Sequence, residues 1–373
     1  MVSKTLLKSH NEKRSRTRSA HTGSKKMSPF FAAIFLLGLC LANAVNFKTV
    51  YQWDKFDYVW PTGGDISIGQ MKQNFKPEDV DLQYMAVFGE RLFLSLRIKS
   101  GIPATLVSLP TSGMSTAPPK LAPFPSWDLH KLDKCDTIQR AYGMEVDADG
   151  RLWVLDNGSG NCNSKLWIFD LLNNDTTERV HKFPDIIVSY STAAWMHDIA
   201  LDKTSDDYLA YITDSFSEHI IVYSRKTDKS WSVETPERKW QYLALSPNRE
   251  SLYLIGSIGS KELYSVSVPE LKNGGGRAAV KFIGEFSRGP FRMLIDNANI
   301  LYAAFYGQNY ISKWNISQPF REQRFHEIED YGADRPLTFA LDTNGTLWMT
   351  ERSGFYSEKR HKLLKAAVGA RSQ

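Results

Sequence analysis

The segment Gly143-Met-Glu-Val-Asp-Ala-Asp-Gly-Arg-Leu-Trp-Val-Leu-Asp156 alternates apolar and polar positions, turns at Asp-Gly, and alternates again. Thr338-Phe-Ala-Leu-Asp-Thr-Asn-Gly-Thr-Leu-Trp-Met-Thr-Glu351 repeats the pattern. Period-two alternation on both sides of a step that tolerates positive φ predicts a β-hairpin. Weaker copies run from Met85 to Ser95, His197 to Asp214, Tyr242 to Leu254 and Met293 to Ala303. One aromatic anchors each second strand: Phe93, Trp153, Tyr211, Tyr253, Tyr302 and Trp348, with gaps of 42 to 60 residues. Third strands are predicted at Lys165–Asp170, His219–Ser224, Glu262–Ser267 and Tyr310–Asn315.

Units of this length with room for four strands predict an all-β fold, a six-bladed β-propeller with a central channel. Such a ring must close to remove its last edge. Few residues follow the last hairpin, and they read as helical and charged, a polar tail over about the last 15. The strand-like Asn46–Trp53 segment is therefore expected to complete the final blade. The domain division is a leader over residues 1–44 and one propeller over 45–373.

Charge changes the picture once it is divided. The formal net charge is +5, yet residues 1–44 carry eight Lys and Arg against Glu12 alone. The remainder holds 38 basic and 40 acidic side chains, which lacks the excess that a nucleic-acid backbone binder needs. Phe30–Leu41 is an apolar run too short to span a bilayer, preceded by basic residues and followed by Ala42-Asn43-Ala44. This predicts a secretory signal peptide cleaved after Ala44, with Met27 as an alternative start, and a secreted chain with no membrane span. Cys40 leaves with the leader, so Cys135 and Cys162 are expected to form a disulfide in an oxidising compartment. Sequons at Asn174, Asn315 and Asn344 are candidate glycosylation sites. Asn157 also begins one but abuts a strand end.

Enzyme signatures are absent from the sequence: no Gly-x-Ser-x-Gly elbow, no His-Glu-x-x-His and no phosphate-binding glycine loop. No His pair has metal-ligand spacing, and no cofactor is expected. Asp156, Asn157, Asp214 and Glu351 end successive strands and could converge on a cation. End-of-strand Asp more commonly bonds local backbone. Propeller geometry brings the start of each inner strand and the end of each second strand to one face. That face gathers Tyr142, His197, Asp198, Trp240, Gln241, Phe291, Arg292, Thr338 and Phe355 beside those acids. Aromatic walls with few polar groups suit a small amphipathic ligand.

Leu96–Leu106, Pro125-Ser-Trp127, Gly150–Gly158 and Ala210–Ser215 resemble the major royal jelly/yellow protein family of insects, over about Phe47 to Phe355. The resemblance implies a six-bladed propeller. It also implies several function classes: amine binding in the channel, aminochrome conversion in melanin pigmentation, and nutritive or structural roles. In amine-binding members a Thr, an Asn and a Phe on the last blade contact the amine. The matching positions here are Thr338, Ser353 and Phe355, with Ser353 departing from the Asn. The first expectation is a small aromatic amine or catechol ligand held by Thr338, Phe355, Ser353, Glu351, Tyr142 and Asp198. The alternatives are an aminochrome isomerase, with His197, Asp198 and Glu351 as acid/base candidates, and a non-binding structural or nutritive protein.

Overall fold

The computed structural model describes residues 45–62, 66–112, 117–189, 195–236, 238–257, 259–305, 308–327, 335–353 and 360–369. The leader and Phe355 therefore lie outside the described residues. After β1 (Lys48–Trp53), blade 1 comprises β2 (Leu82–Phe88), β3 (Arg91–Leu96), β4 (Leu106–Pro110) and β5 (Ala122–Pro123). Blade 2 comprises β6 (Ala141–Val146), β7 (Arg151–Asp156), β8 (Lys165–Asp170) and β9 (Thr176–Lys182). Blade 3 holds β10 (Met196–Lys203), β11 (Tyr208–Asp214), β12 (His219–Ser224) and β13 (Lys229–Glu234). Blade 4 holds β14 (Trp240–Leu245), β15 (Ser251–Gly256), β16 (Glu262–Ser267) and β17 (Val280–Glu285). Blade 5 holds β18 (Pro290–Ile295), β19 (Ile300–Phe305), β20 (Tyr310–Asn315) and β21 (Gln323–Glu327).

Blade 6 is ordered β1-β24-β23-β22, from β22 (Arg335–Leu341), β23 (Thr346–Ser353) and β24 (Arg360–Ala367). The N-terminal strand thus closes the ring as its outermost strand, antiparallel to β24 from Lys48↔Lys365 to Trp53↔His361. The polar, helical tail expected after the last hairpin is corrected here. Residues 360–367 are a strand, paired with β23 from Ser353↔Arg360 to Thr346↔Ala367. Lys, Leu and Ala favour helix in isolation, but the open edge of β23 offers a full ladder of hydrogen bonds. His361, Leu363, Leu364 and Ala366 are buried, while Lys365 Nζ lies 5.1 Å from the Trp348 ring centroid.

Six apolar clusters fill the gaps between neighbouring blades. Period two explains how one strand serves two of them. On β7, Leu152 and Val154 pack toward blade 1, while Trp153 and Leu155 pack toward blade 3. Strands covered on both faces read as nearly continuous apolar runs, and every residue of β11 is buried.

The hairpin repeat has a chemical basis. Asp147, at the turn after β6, accepts hydrogen bonds from the Asp149 and Arg151 backbone N–H groups and from Trp153 Nε1 (2.8 Å). Asp342 treats Asn344, Thr346 and Trp348 the same way, and Asp296 treats Ala298, Ile300 and Tyr302. One carboxylate satisfies the turn and fixes the anchor aromatic six residues on.

Candidate functional site

In every blade the ladder between the inner and second strands shifts register once, near the start of the inner strand. The shifts fall between Leu82 and Tyr84, Ala141 and Met144, Met196 and Ile199, Trp240 and Tyr242, Pro290 and Arg292, and Pro336 and Thr338. Such a bulge bends the strand and re-aims its side chains. In blade 2 the bulge requires Gly143, because a Cβ there would stand 2.5 Å from the His197 carbonyl oxygen.

The side chains around these bulges tie alternate blades across the axis. Tyr84 of blade 1 places its hydroxyl 2.5 Å from His197 Nδ1 of blade 3. Asp198 of blade 3 accepts from Arg292 Nη1 of blade 5 at 2.5 Å. The Arg292 guanidinium lies over the Tyr84 ring, 4.6 Å from its centroid, closing a triangle of blades 1, 3 and 5. Asp198 also accepts from the Ile199 and Leu243 backbone N–H groups. This buried set forms a plug across the channel.

On one side of the plug lies an aromatic collar. The His197 ring is edge-on to Tyr242 (4.8 Å between centroids) and Tyr142 (4.9 Å), with Trp195 at 6.2 Å. Gln241 Nε2 lies 2.8 Å from His197 Nε2, and the Tyr142 hydroxyl donates to Gln83 Oε1. Trp195 is 37% exposed and Phe216 49%, with ring centroids 6.3 Å apart. The collar therefore runs from solvent down to the imidazole.

Burial sets the protonation of this group. It holds His197 well below the usual imidazole range, helped by the charges of Arg292 and Arg97, so the ring is neutral. Burial raises Tyr84 and Tyr242 above ordinary tyrosine, and pushes Tyr142 up to about 12. Burial also pushes the Asp198 carboxyl up, against the opposing pull of Arg292.

Beyond the plug, the inner strands enclose a cavity of about 130 Å³ lined by Met85, Met144, Glu145, Leu243, Met293 and Ala340 among others. Burial pushes Glu145 up to about 8, with Arg292 acting against it and Asp198 with it.

The residues expected from sequence separate into groups. Tyr142 and Asp198 stand together with His197, Gln241 and Arg292 in the collar and plug. Thr338 is buried just past the bulge of blade 6, and its Oγ1 has no hydrogen-bond partner among the described residues. Ser353 ends β23 opposite Arg360, and Glu351 lies with Oε1 3.8 Å from His326 Nε2 on the outer strand of blade 5. Trp240 belongs to the cluster between blades 3 and 4, donating to Thr235 Oγ1. Asp156 accepts from the Gln139, Arg140 and Gly158 N–H groups, and Asp214 from those of Trp195 and Phe216, so both act as local caps. Among the described residues no cluster of His, Cys, Asp and Glu is placed to hold a metal ion, and no helix is long and apolar enough to cross a membrane.

Cys135 and Cys162 form the disulfide, with Cα atoms 5.0 Å apart. Beneath it the buried Lys165 ammonium donates to the Cys135 and Thr137 carbonyls and pairs with Asp156. Asn174, Asn315 and Asn344 are exposed, whereas the Asn157 amide donates to the Met196 carbonyl.

Sequence reasoning missed Tyr84, Trp195, Phe216 and Glu145. A signal for Glu145 existed. Opposite the anchor aromatic of the second strand, five blades place Ala86, Ala200, Ala244, Leu294 and Ala340, and blade 2 alone places a carboxyl.

Six four-stranded blades around a plugged channel, with an aromatic–imidazole collar on one side, define a β-propeller with an axial pocket. A solved luciferin-regenerating enzyme shares the fold, with TM-score 0.51 at 12% identity over 80% of this chain and 94% of that one. The sequence profile described as Major royal jelly protein matches residues 139–248. Protein yellow of Drosophila yakuba and of Drosophila melanogaster are each 27% identical over 357 aligned residues, covering 82% of this chain. The match spans 64% of the length of those relatives. The chain is therefore similar to the major royal jelly/yellow protein family.

Proposed function

We propose that this protein is secreted and glycosylated, and binds a small aromatic ligand, a biogenic amine or a catechol metabolite, in its central channel. The observation that carries the reading is the collar: Trp195 and Phe216 exposed at its rim, Tyr142 and Tyr242 edge-on around a neutral His197. Such a wall stacks a ring and attracts an ammonium to its π-faces. The Thr338 hydroxyl, which has no hydrogen-bond partner among the described residues, supplies a polar contact on blade 6, and Phe355 and Ser353 complete the proposed ligand set with Glu351. The leader supports secretion, and the exposed Asn174, Asn315 and Asn344 support glycosylation.

Calorimetric titration of the mature chain with serotonin, dopamine, noradrenaline and histamine tests this reading. Trp195→Ala and Phe355→Ala should each weaken binding by about tenfold, since a stacked, partly buried aromatic contributes roughly 1.5 kcal/mol or more. Ser353→Asn should strengthen amine binding. Unchanged affinity in folded Trp195→Ala and Phe355→Ala proteins would sink the channel assignment.

A second reading, isomerisation of an aminochrome, draws on the neutral His197 and on Glu145, two groups suited to move protons. Catalytic decay of aminochrome absorbance would favour it over stoichiometric binding. Neither binding nor turnover would leave a structural or nutritive role.

A further inference from the structure

The cavity beyond the plug is a different place from the collar. It is lined by the later residues of the inner strands, and its rim carries the exposed Ala148 and Thr343 at the hairpin-turn end. The Tyr84–His197 and Asp198–Arg292 ties stand between the two. Its volume of about 130 Å³ is close to that of an apolar cavity known to take benzene, roughly 150 Å³.

We propose that this cavity is a second binding site, for a small apolar monocation whose ammonium is received by the Glu145 carboxylate. Among the described residues, three ionisable side chains line the cavity: Glu145, Asp147 and Arg292. Arg292 is matched by Asp198 and covered by the Tyr84 ring. Asp147 is occupied by the turn N–H groups, Arg151 Nε and Trp153 Nε1. Glu145 is half-buried and accepts from the Leu201 backbone N–H. A carboxylate has about four acceptor sites, so it retains capacity for a ligand donor. The register comparison adds specificity. At this level every other blade presents a small or apolar side chain, so Glu145 is the one carboxyl at that level of the wall, with Asp147 and Arg292 elsewhere in the lining.

The groups facing Glu145 are Arg292 from blade 5, Asp198 from blade 3, and Asp147 on its own side of blade 2. Burial is the strongest influence and holds the free carboxyl near about 8. At neutral pH Glu145 is mostly protonated, and an incoming ammonium must expel that proton. Binding should therefore release close to one proton at pH 7 and tighten as pH rises toward about 8. It should weaken again above about 10, where an alkylammonium loses its own charge.

The test uses benzylammonium, with benzyl alcohol as its neutral counterpart. Calorimetry at pH 7 in two buffers of different ionisation enthalpy counts the protons. The full mature chain should bind benzylammonium with proton release. Glu145→Gln should weaken it by about tenfold or more, abolish the proton release, and leave benzyl alcohol unchanged. Glu145→Asp keeps the charge and should retain proton release, which keeps the proposal testable if the Gln variant fails to fold. Trp195→Ala, in the collar, should leave the proton-linked binding intact. Equal affinity for benzylammonium in the wild type and a folded Glu145→Gln protein overturns the proposal. So does binding without proton release, or loss of the proton-linked binding in Trp195→Ala. A wild type that binds serotonin but not benzylammonium overturns this site and leaves the collar reading standing.

Discussion

The Tyr84 hydroxyl stands 2.5 Å from His197 Nδ1, joining two blades that are not neighbours in the ring. With the Gln241 amide nitrogen facing Nε2, that nitrogen accepts, and the neutral imidazole carries its proton on Nδ1 toward the Tyr84 oxygen. The ring is thus held from two sides, in one tautomer, beneath the collar.

Tyr84→Phe should remove this tie and leave a buried N–H without its acceptor. The expected cost is about 1–3 kcal/mol in urea unfolding. A variant as stable as the wild type would show that the contact contributes nothing across the axis.

Asp147→Ala removes the acceptor for two turn N–H groups, for Arg151 Nε and for Trp153 Nε1, all at once. Because Asp147 and Trp153 are buried, the loss should reach about 3 kcal/mol. A melting curve within about 0.5 kcal/mol of wild type, the usual range of a surface substitution, would contradict the role assigned to this carboxylate.

Replacing Cys135 and Cys162 together by Ser should lower stability by roughly 3 kcal/mol, from the loop closed over a sequence separation of 27. Comparing oxidised and reduced wild type in guanidinium gives the same difference independently. Agreement between the two measurements is the expected outcome.

Mild acid should remove the stability contributed by the buried neutral histidines. His130 is 5% exposed, bonds the Phe124 carbonyl through Nε2, and is held down to about 4 by burial. The unfolded imidazole takes a proton near pH 6.5, whereas the folded one resists until about pH 4. The His130 contribution is therefore fully present above about pH 6.5 and falls as pH drops toward 4, by about 3 kcal/mol for a shift of this size, while the raised carboxyls of Glu145 and Asp198 act in the opposite sense. His197 adds to the fall in the same direction. His130→Gln should flatten part of this acid limb; an unchanged limb would assign it to other groups.

The hairpins and their spacing were legible in the sequence because their determinants are local. Asp147 and Trp153, or Asp342 and Trp348, meet inside a single hairpin, so the chemistry repeats wherever the hairpin repeats. The four third strands expected from alternation coincide with β8, β12, β16 and β20 for the same reason. The ring had to be closed, and the N-terminal strand was recognisable as the piece that closes it. Residues 360–367 were misread because helix propensity is intrinsic to those residues, while the ladder that makes them a strand belongs to β23 and β1.

The site was decided elsewhere. Its residue types were visible, and Tyr142, His197, Asp198, Gln241 and Arg292 were placed on the channel face from the hairpin pattern alone. Their pairing was not visible. Which side chains touch depends on the angle at which each blade stands around the axis, and on one bulge per blade that turns a side chain inward. Tyr84, Asp198 and Arg292 come from alternate blades, and nothing in their local sequence encodes that distance. Glu145 is an ordinary strand residue until six inner strands are laid in register. Packing in the ring then sets it among small and apolar side chains in the wall of a cavity that Asp147 and Arg292 also line. Local hydrogen bonding determined the blades; the closed geometry of the ring determined what faces what across the channel.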